Sequence, residues 1–579
     1  MKYRTIAFWG IVCCCLFIFL QYRYAFFFFY IEQLQLFPMT GWFFRDTVCQ
    51  PGGLAHYVAG FLLQFYGVPF VGALLTTGLL AGVGGLFQTI LKRIMPIEYS
   101  YVLALLPLLV LLSLHTDMHY RIQGTVAILF MFVFFLVYIH IRRFLFRIIA
   151  GILLLPLLFY LSGPIMMLFG VTVLLWELLR REKGWYWSFG LLAEIGIICF
   201  IVLGRGWLGE YRMVVLPDFY YEPLLRIKLL YGLWILFPGF LLLSWFLREK
   251  KEMAGKKVWV WFLVQLLPLF LYLYGDSRKP ISFEQENMKQ DYYLREEEWD
   301  KIIATFAEEK ANVQTMSVLN LALACKGELG NKLFCYPQLG RECLLPNWDS
   351  ALPSAIAMSD IWYYIGDIAQ AQKYAFEGYV AAADGSSRLL QRLVRTNLIC
   401  GAYPVAEKYI RLLEQTLFYK DWANEQRKFL YNDTLLNQDP ELGGKRSALK
   451  LDSPYSEFFP EAKVLEQLAV NNPENRIAFR YLTSYLLLGK NLDVFNALHN
   501  KYYHTKVWPS LSVNEQEAII ALEQDNPSLW VHKGVSLKVE QHFGAFNQDM
   551  HEKHGFMNFT EVMAADYGDT YWFYLMFKK

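Results

Sequence analysis

Three groups of residues in this chain have types and spacings that could do chemistry. Glu32 and Asp46 lie in a polar, aromatic stretch after the first apolar segment, with Thr40, Trp42, Arg45 and a Pro51-Gly52-Gly53 hinge around them. His115, Asp117 and His119 fall within five residues of one another, and Arg205, Arg212 and Arg226 share a third polar stretch. Carboxylates beside a bilayer lose hydration, which favours their protonated form and suits them to take a proton from an attacking hydroxyl near neutral pH. A guanidinium pairs two phosphate oxygens at once and would stabilise a phosphate leaving group. The His115, Asp117 and His119 set has two readings, metal ligation or a hydrogen-bonded loop closure, and the closure is the simpler. The arginines also have two: phosphate clamps, or anchors with stems in the apolar layer and heads in water.

The spacing of apolar runs places these groups at a membrane. Of 579 residues, 55% are hydrophobic and 17% aromatic. Residues 1–275 hold 22 Lys/Arg against 12 Asp/Glu, leaving 32 against 40 for the remainder. The near-neutral total therefore hides a basic, apolar half and an acidic, polar one. Neither half has the concentrated basic face of a nucleic-acid binder. A span needs ~20 predominantly apolar residues, and nine candidates stand out, at 6–30, 70–91, 98–114, 123–140, 144–161, 163–180, 187–204, 227–247 and 258–274. The first run continues past signal-peptide length with no small-residue cleavage site before Glu32, so it reads as a retained span.

Lys92-Arg93, Arg142-Arg143 with Arg147, Arg180-Arg181 with Lys183, and Arg248 with Lys250, Lys251, Lys256 and Lys257 fall in alternate connections, on the side of Lys2 and Arg4. This bias predicts the cytoplasmic membrane, with the N-terminus inside and everything after Tyr274 outside. The punctuated stretch 54–66 is too short to span. It reads as a flat interfacial helix in preference to the start of one kinked span over 54–91. Arg23 and Glu194, charged within spans, are expected to pair with other spans.

From Asp276 onward the pattern is amphipathic and helical. Gly366 and Gly401 lie 35 residues apart, each followed by an alanine-aromatic pattern, close to the ~34-residue tetratricopeptide period. A further copy is expected around Gly489. Cys335 and Cys343 could close a disulfide loop outside the cell, although buried free thiols are the simpler reading of Cys325, Cys335, Cys343 and Cys400. The aromatic tail, 571–579, should pack back on the helices or touch the bilayer.

As a whole the chain resembles a family of multi-spanning bacterial membrane proteins with a domain of unknown function. The stretches that carry this are Glu32-Gln33-Leu34-Gln35-Leu36-Phe37, Pro51-Gly52-Gly53-Leu54 and Leu417-Phe418-Tyr419 with Trp422. The layout of the first four spans is also similar to the polytopic glycosyltransferases of the GT-C fold, which use lipid-linked sugar donors. That resemblance implies Glu32 or Asp46 as the first catalytic acid and Asp117 as the second. It implies His115, His119, Arg205 and Arg212 at the substrate, and a polyprenyl-phosphate-linked sugar as donor. The cofactor stays open; a divalent metal ion is one that such acids could hold. The chain departs from the pattern in lacking an Asp-Glu or Asp-x-Asp pair after the first span. The rival reading is a non-catalytic scaffold that presents helical repeats to envelope proteins.

The expected fold is all-α: a polytopic bundle over 1–275, then an extracytoplasmic helical-repeat domain over 276–579. Protease added to intact spheroplasts is expected to remove the second part. Its full protection would overturn the orientation.

Overall fold

A computed structural model describes all residues except Met1, 181–183, 223–224, 226, 251–255, 348, 350, 383, 450–459, 556 and 579. Among the described residues the chain is helical, with no strand and two isolated bridges, Tyr120 with Tyr221 and Tyr503 with Trp508. It divides into two compact units. One comprises Met1–Gln33 and Phe37–Pro280, the other Leu34–Leu36 and Ile281–Lys579. The fold is thus all-α, a polytopic bundle followed by a helical domain.

The first unit contains α1 (Lys2–Gln33), α2 (Gly41–Val48), α3 (Gly53–Leu63), α4 (Val71–Leu91), α5 (Ile97–His115), α6 (Gln123–His140), α7 (Phe144–Ser162), α8 (Ile165–Arg180), α9 (Gly190–Gly204), α10 (Tyr211–Val215), α11 (Lys228–Phe246) and α12 (Lys256–Ser277). Among the described residues, eight helices are long and apolar enough to cross a membrane. They fit a multi-pass membrane protein. The sixth of the nine expected spans, α8, has only 16 residues and carries Glu177 and Arg180. It covers about 24 Å at 1.5 Å per residue, short of the ~30 Å hydrocarbon layer.

Side-chain pairs nevertheless fix the direction of α8. Arg147, in the first turn of α7, donates to Glu177, in the last turn of α8, at 3.0 Å. Tyr138, near the end of α6, donates to the same carboxylate at 2.7 Å. All three are buried. The start of α7 and the end of α8 therefore meet, so α8 runs back along α7.

The first and last spans can be oriented in the same way. Thr5 meets Tyr101 at 3.1 Å near the starts of α1 and α5, and Trp261 near the start of α12 donates to the Glu98 carbonyl at 2.9 Å. Further along, the Tyr24 hydroxyl donates to Asp276 at 2.9 Å. Helices α1, α5 and α12 are parallel, so the chain leaves this unit at the end opposite its N-terminus.

Small and polar residues allow this packing. A Cβ on Gly84 of α4 would lie 2.2 Å from the Trp9 ring, and Trp9 donates to Gln88 at 2.8 Å. The stretch 54–91 is not one continuous helix. A 3-10 turn, Gln64–Gly67, and Phe70 in the left-handed region (φ 68°) separate α3 from α4. Arg23, expected to meet an acid, donates instead to the Lys279 carbonyl at 2.7 Å. Glu194 is half-buried on α9, and no ion pair holds it among the described residues.

In the second unit consecutive helices pair. Leu352–Ile365 ends at Gly366 (φ 104°), Asp367 caps the next helix by accepting from the Gln370 N–H at 3.0 Å, and Ile368–Ala381 follows. Ser387–Ile399 and Tyr403–Glu414 repeat the arrangement around Gly401 (φ 74°). The first helix of each pair is almost wholly buried. At the third expected copy, Arg476–Leu488 and Leu492–Tyr502 also pair, but Lys490 (φ 54°) makes the left-handed turn. At Gly489 the Arg341 guanidinium packs close, 2.1 Å from where a Cβ would stand, so a side chain there would have to move it. Leu34–Leu36 joins this unit through main-chain bonds from Leu36 to Asp384 (2.8 Å) and from Ser387 to Gln35 (3.2 Å). The cysteines are free. Cys343 is buried and Cys325 half-buried, whereas Cys335 and Cys400 are exposed, contrary to the buried-thiol expectation.

The aromatic tail packs back. In Tyr571–Phe577, Tyr571 N–H donates to the Glu517 carboxylate at 2.7 Å and Trp572 to the Glu517 carbonyl at 2.9 Å. Glu517 is 2% exposed, and burial pushes its carboxyl up to about 8, with Asp569 adding to the shift. The folded chain therefore keeps this proton up to about pH 8, while the unfolded chain loses it near 4.5. The stability contributed by this site is present below the lower value and lost as pH rises through that window. Glu517→Gln keeps an acceptor for Tyr571 and removes the titration. Its melting temperature in detergent should match the wild type at about pH 5 and exceed it at about pH 9. Parallel profiles would contradict this assignment.

Candidate functional site

The polar loops at the end of the bundle opposite the N-terminus bind one another. Helix α5 ends at His115, which is 4% exposed, and its Nε2 meets Thr125 at 2.8 Å. One Asp117 carboxylate oxygen accepts from the His119 N–H (2.9 Å) and faces His119 Nδ1 (3.1 Å). The other accepts from the Tyr221 hydroxyl at 2.7 Å. The backbones beside them close a two-rung bridge: Arg121 N–H donates to Tyr220 (3.0 Å) and Glu222 N–H to His119 (3.2 Å). Tyr220 in turn donates to the Ser162 carbonyl at 2.5 Å.

The Pro51-Gly52-Gly53 hinge is tied to the same assembly. Gly52 (φ 78°) donates to the Tyr160 carbonyl at 2.9 Å and accepts from the Gln123 amide at 3.1 Å. A Cβ on Gly53 would lie 1.9 Å from the Thr47 carbonyl oxygen, so the chain can turn from α2 into α3 only with glycine there.

The settings of the remaining sequence-predicted residues differ from one another. Glu32, in the last turn of α1, is 5% exposed and lies against Gly67, its carboxylate 3.4 Å from where a Cβ would stand. Asp46 is exposed on α2. Arg205 caps the end of α9 and is exposed. Arg212 lies over the neighbouring Tyr211 ring at 5.8 Å. Arg226 lies outside the described residues. Among the described residues no group of three or more His, Cys, Asp or Glu side chains is arranged to hold a metal ion.

A feature not singled out from the sequence sits in the second unit. A cavity of ≈ 200 Å³ is lined by Arg388, Gln391, Arg392 and Arg395, with Arg295, Asp360 and Tyr364 among its other walls. The first four recur at i, i+3, i+4 and i+7 on one helix, while Leu389, Leu390, Leu393 and Val394 bury the other face. Arg388 bridges Asp291 (2.7 Å) and Asp360 (2.5 Å), and Arg392 holds the second Asp360 oxygen at 2.7 Å. Burial alone would raise the Asp360 carboxyl, but Arg388 and Arg392 outweigh it and hold the carboxyl below the usual range. Arg392 also lies flat on Tyr363 at 3.6 Å. The signal was present in the sequence as spacing, but an arginine-rich stripe on a repeat helix reads first as a solvated face.

A family model matches residues 1–578. The chain belongs to a family of unknown function, DUF6057. No curated protein matches it, and no solved structure does.

The Asp117 geometry generates a stability prediction. Tyr221→Phe removes one donor from a charged acceptor, a bond worth about 1.5–3 kcal/mol. The variant should accumulate in membranes and melt earlier in detergent. An unchanged melting temperature would show that Asp117 does not hold the loops.

Proposed function

We propose that this protein is a membrane-anchored binding platform. The bundle holds it in the cytoplasmic membrane, N-terminus inside, and its helical unit stands outside the cytoplasm as a tetratricopeptide-like array that engages envelope proteins. The parallel course of α1 and α12 supports opposite sides for the N-terminus and the helical unit, and the Lys/Arg bias of the connections supports which side is inside. The observation that carries the reading is the form of the helix pairs around Gly366 and Gly401. Their first helices are buried, while the second helices leave Phe376, Val380 and Val405 exposed. Stacked helix pairs commonly use such surfaces to bind proteins. Photo-cross-linkers placed at Phe376 and Val405 in living cells should give discrete adducts with envelope proteins. Adducts with lipid alone, or none, would overturn the reading.

One observation favours a second reading, GT-C-like transfer of a sugar from a polyprenyl-phosphate donor. Glu32 is buried at the end of α1, and the two short helices α2 and α3 follow it before α4. Asp117 supports this reading less, because both of its oxygens are engaged by His119 and Tyr221. Loss of surface glycan in Glu32→Gln, with normal accumulation of the protein, would favour transfer. Unchanged glycans would leave the platform reading alone.

A further inference from the structure

We propose that the arginine-lined cavity of the second unit binds a small molecule bearing one oxyanion, a phosphate or a carboxylate. The proposal stands whether or not the helix pairs engage a protein.

Size sets the first limit. At ≈ 200 Å³ the cavity holds about seven waters, at ~30 Å³ each. That accommodates a phosphate or carboxylate with a few further atoms, and excludes a folded segment.

The donors set the chemistry. Arg388, Gln391, Arg392 and Arg395 present guanidinium and amide N–H groups from successive turns of Ser387–Ile399, and Arg295 is part of the same lining. Three acids share the lining, Asp360, Glu296 and Glu297, of which Glu296 and Glu297 are exposed. Both Asp360 oxygens accept from Arg388 and Arg392, and Glu297 accepts from the Tyr364 hydroxyl at 2.8 Å. A cation at Asp360 would have to displace an arginine, whereas an anion meeting Arg388, Arg392 and Arg395 would not.

Two further observations concern donors with capacity to spare. Arg392 is nine-tenths buried, and its Nη1 has no hydrogen-bond partner. A buried charged N–H left unpaired is costly, and an oxyanion in the cavity that Arg392 lines would relieve it with a small shift. Arg395 is part-exposed and reaches Glu441 only at 3.4 Å, a contact that a better-placed oxyanion can replace. The Arg392 fork is held in advance, by Asp360 at one edge and the Tyr363 ring beneath it, so little side-chain freedom is lost on binding.

The test uses the full chain in detergent, titrated separately with inorganic phosphate and acetate, with chloride at equal ionic strength as control. Binding is read by calorimetry and by thermal unfolding. Arg395→Gln removes a clamp, and Gln391→Trp fills the cavity while leaving the Asp360 pairs intact. The wild type should bind phosphate or acetate and melt later than in chloride. Each variant, with wild-type circular dichroism, should bind at least about ten-fold more weakly. The tighter of the two anions identifies the class of ligand. Phosphate and acetate acting no differently from chloride, or both variants responding as the wild type does, would overturn the proposal.

Discussion

A turn beside an apolar layer must find hydrogen-bond partners for its backbone, because the layer supplies none. In this bundle the turns satisfy one another. Gly52 bonds to Tyr160 and Gln123, Arg121 to Tyr220, Glu222 to His119, and Tyr220 to Ser162. Four connections that are distant in sequence thereby become one assembly. The requirement also explains residue choices that would otherwise suggest catalysis. Asp117 is acidic because three donors converge on it, and His115 is buried against Thr125. At the other end of the bundle Arg147, Glu177 and Tyr138 satisfy each other in the same way.

The fold was largely legible because its signals are physical and repetitive. Apolar runs of span length, basic residues in alternate connections and two glycines 35 residues apart each follow from one constraint. The harder cases were those in which two constraints competed. Helix α8, expected as a span behind the tight Ser162-Gly163-Pro164 turn, is short and charged, and the Arg147–Glu177 pair shows that it retraces α7. Gly489 matched the repeat glycines in position, but there the left-handed residue is Lys490, and the glycine makes room for Arg341. Nothing in Leu34-Gln35-Leu36 indicated that these three residues would join the second unit through Asp384 and Ser387.

The candidate site was less legible. Acids near a membrane drew attention to Glu32, Asp46 and Asp117, and the structure gives them three different settings: buried against Gly67, exposed on α2, and engaged in loop closure. The arginine stripe at 388, 392 and 395 escaped notice because its acidic partners, Asp291 and Asp360, lie 97 and 28 residues away from Arg388. A spacing rule finds a helix face. It does not find what that face meets.

The central claim is that the turns around Gly52, Asp117 and Tyr221 form a closed structural lock. Hydrogen–deuterium exchange on the full chain in detergent tests it most directly, at the amides of Gly52, Arg121 and Glu222. All three donate to carbonyls distant in sequence. They should exchange as slowly as amides in the neighbouring helix ends, and Tyr221→Phe should speed all three together. Exchange of these amides at the rate of open loops in the wild type would contradict the account.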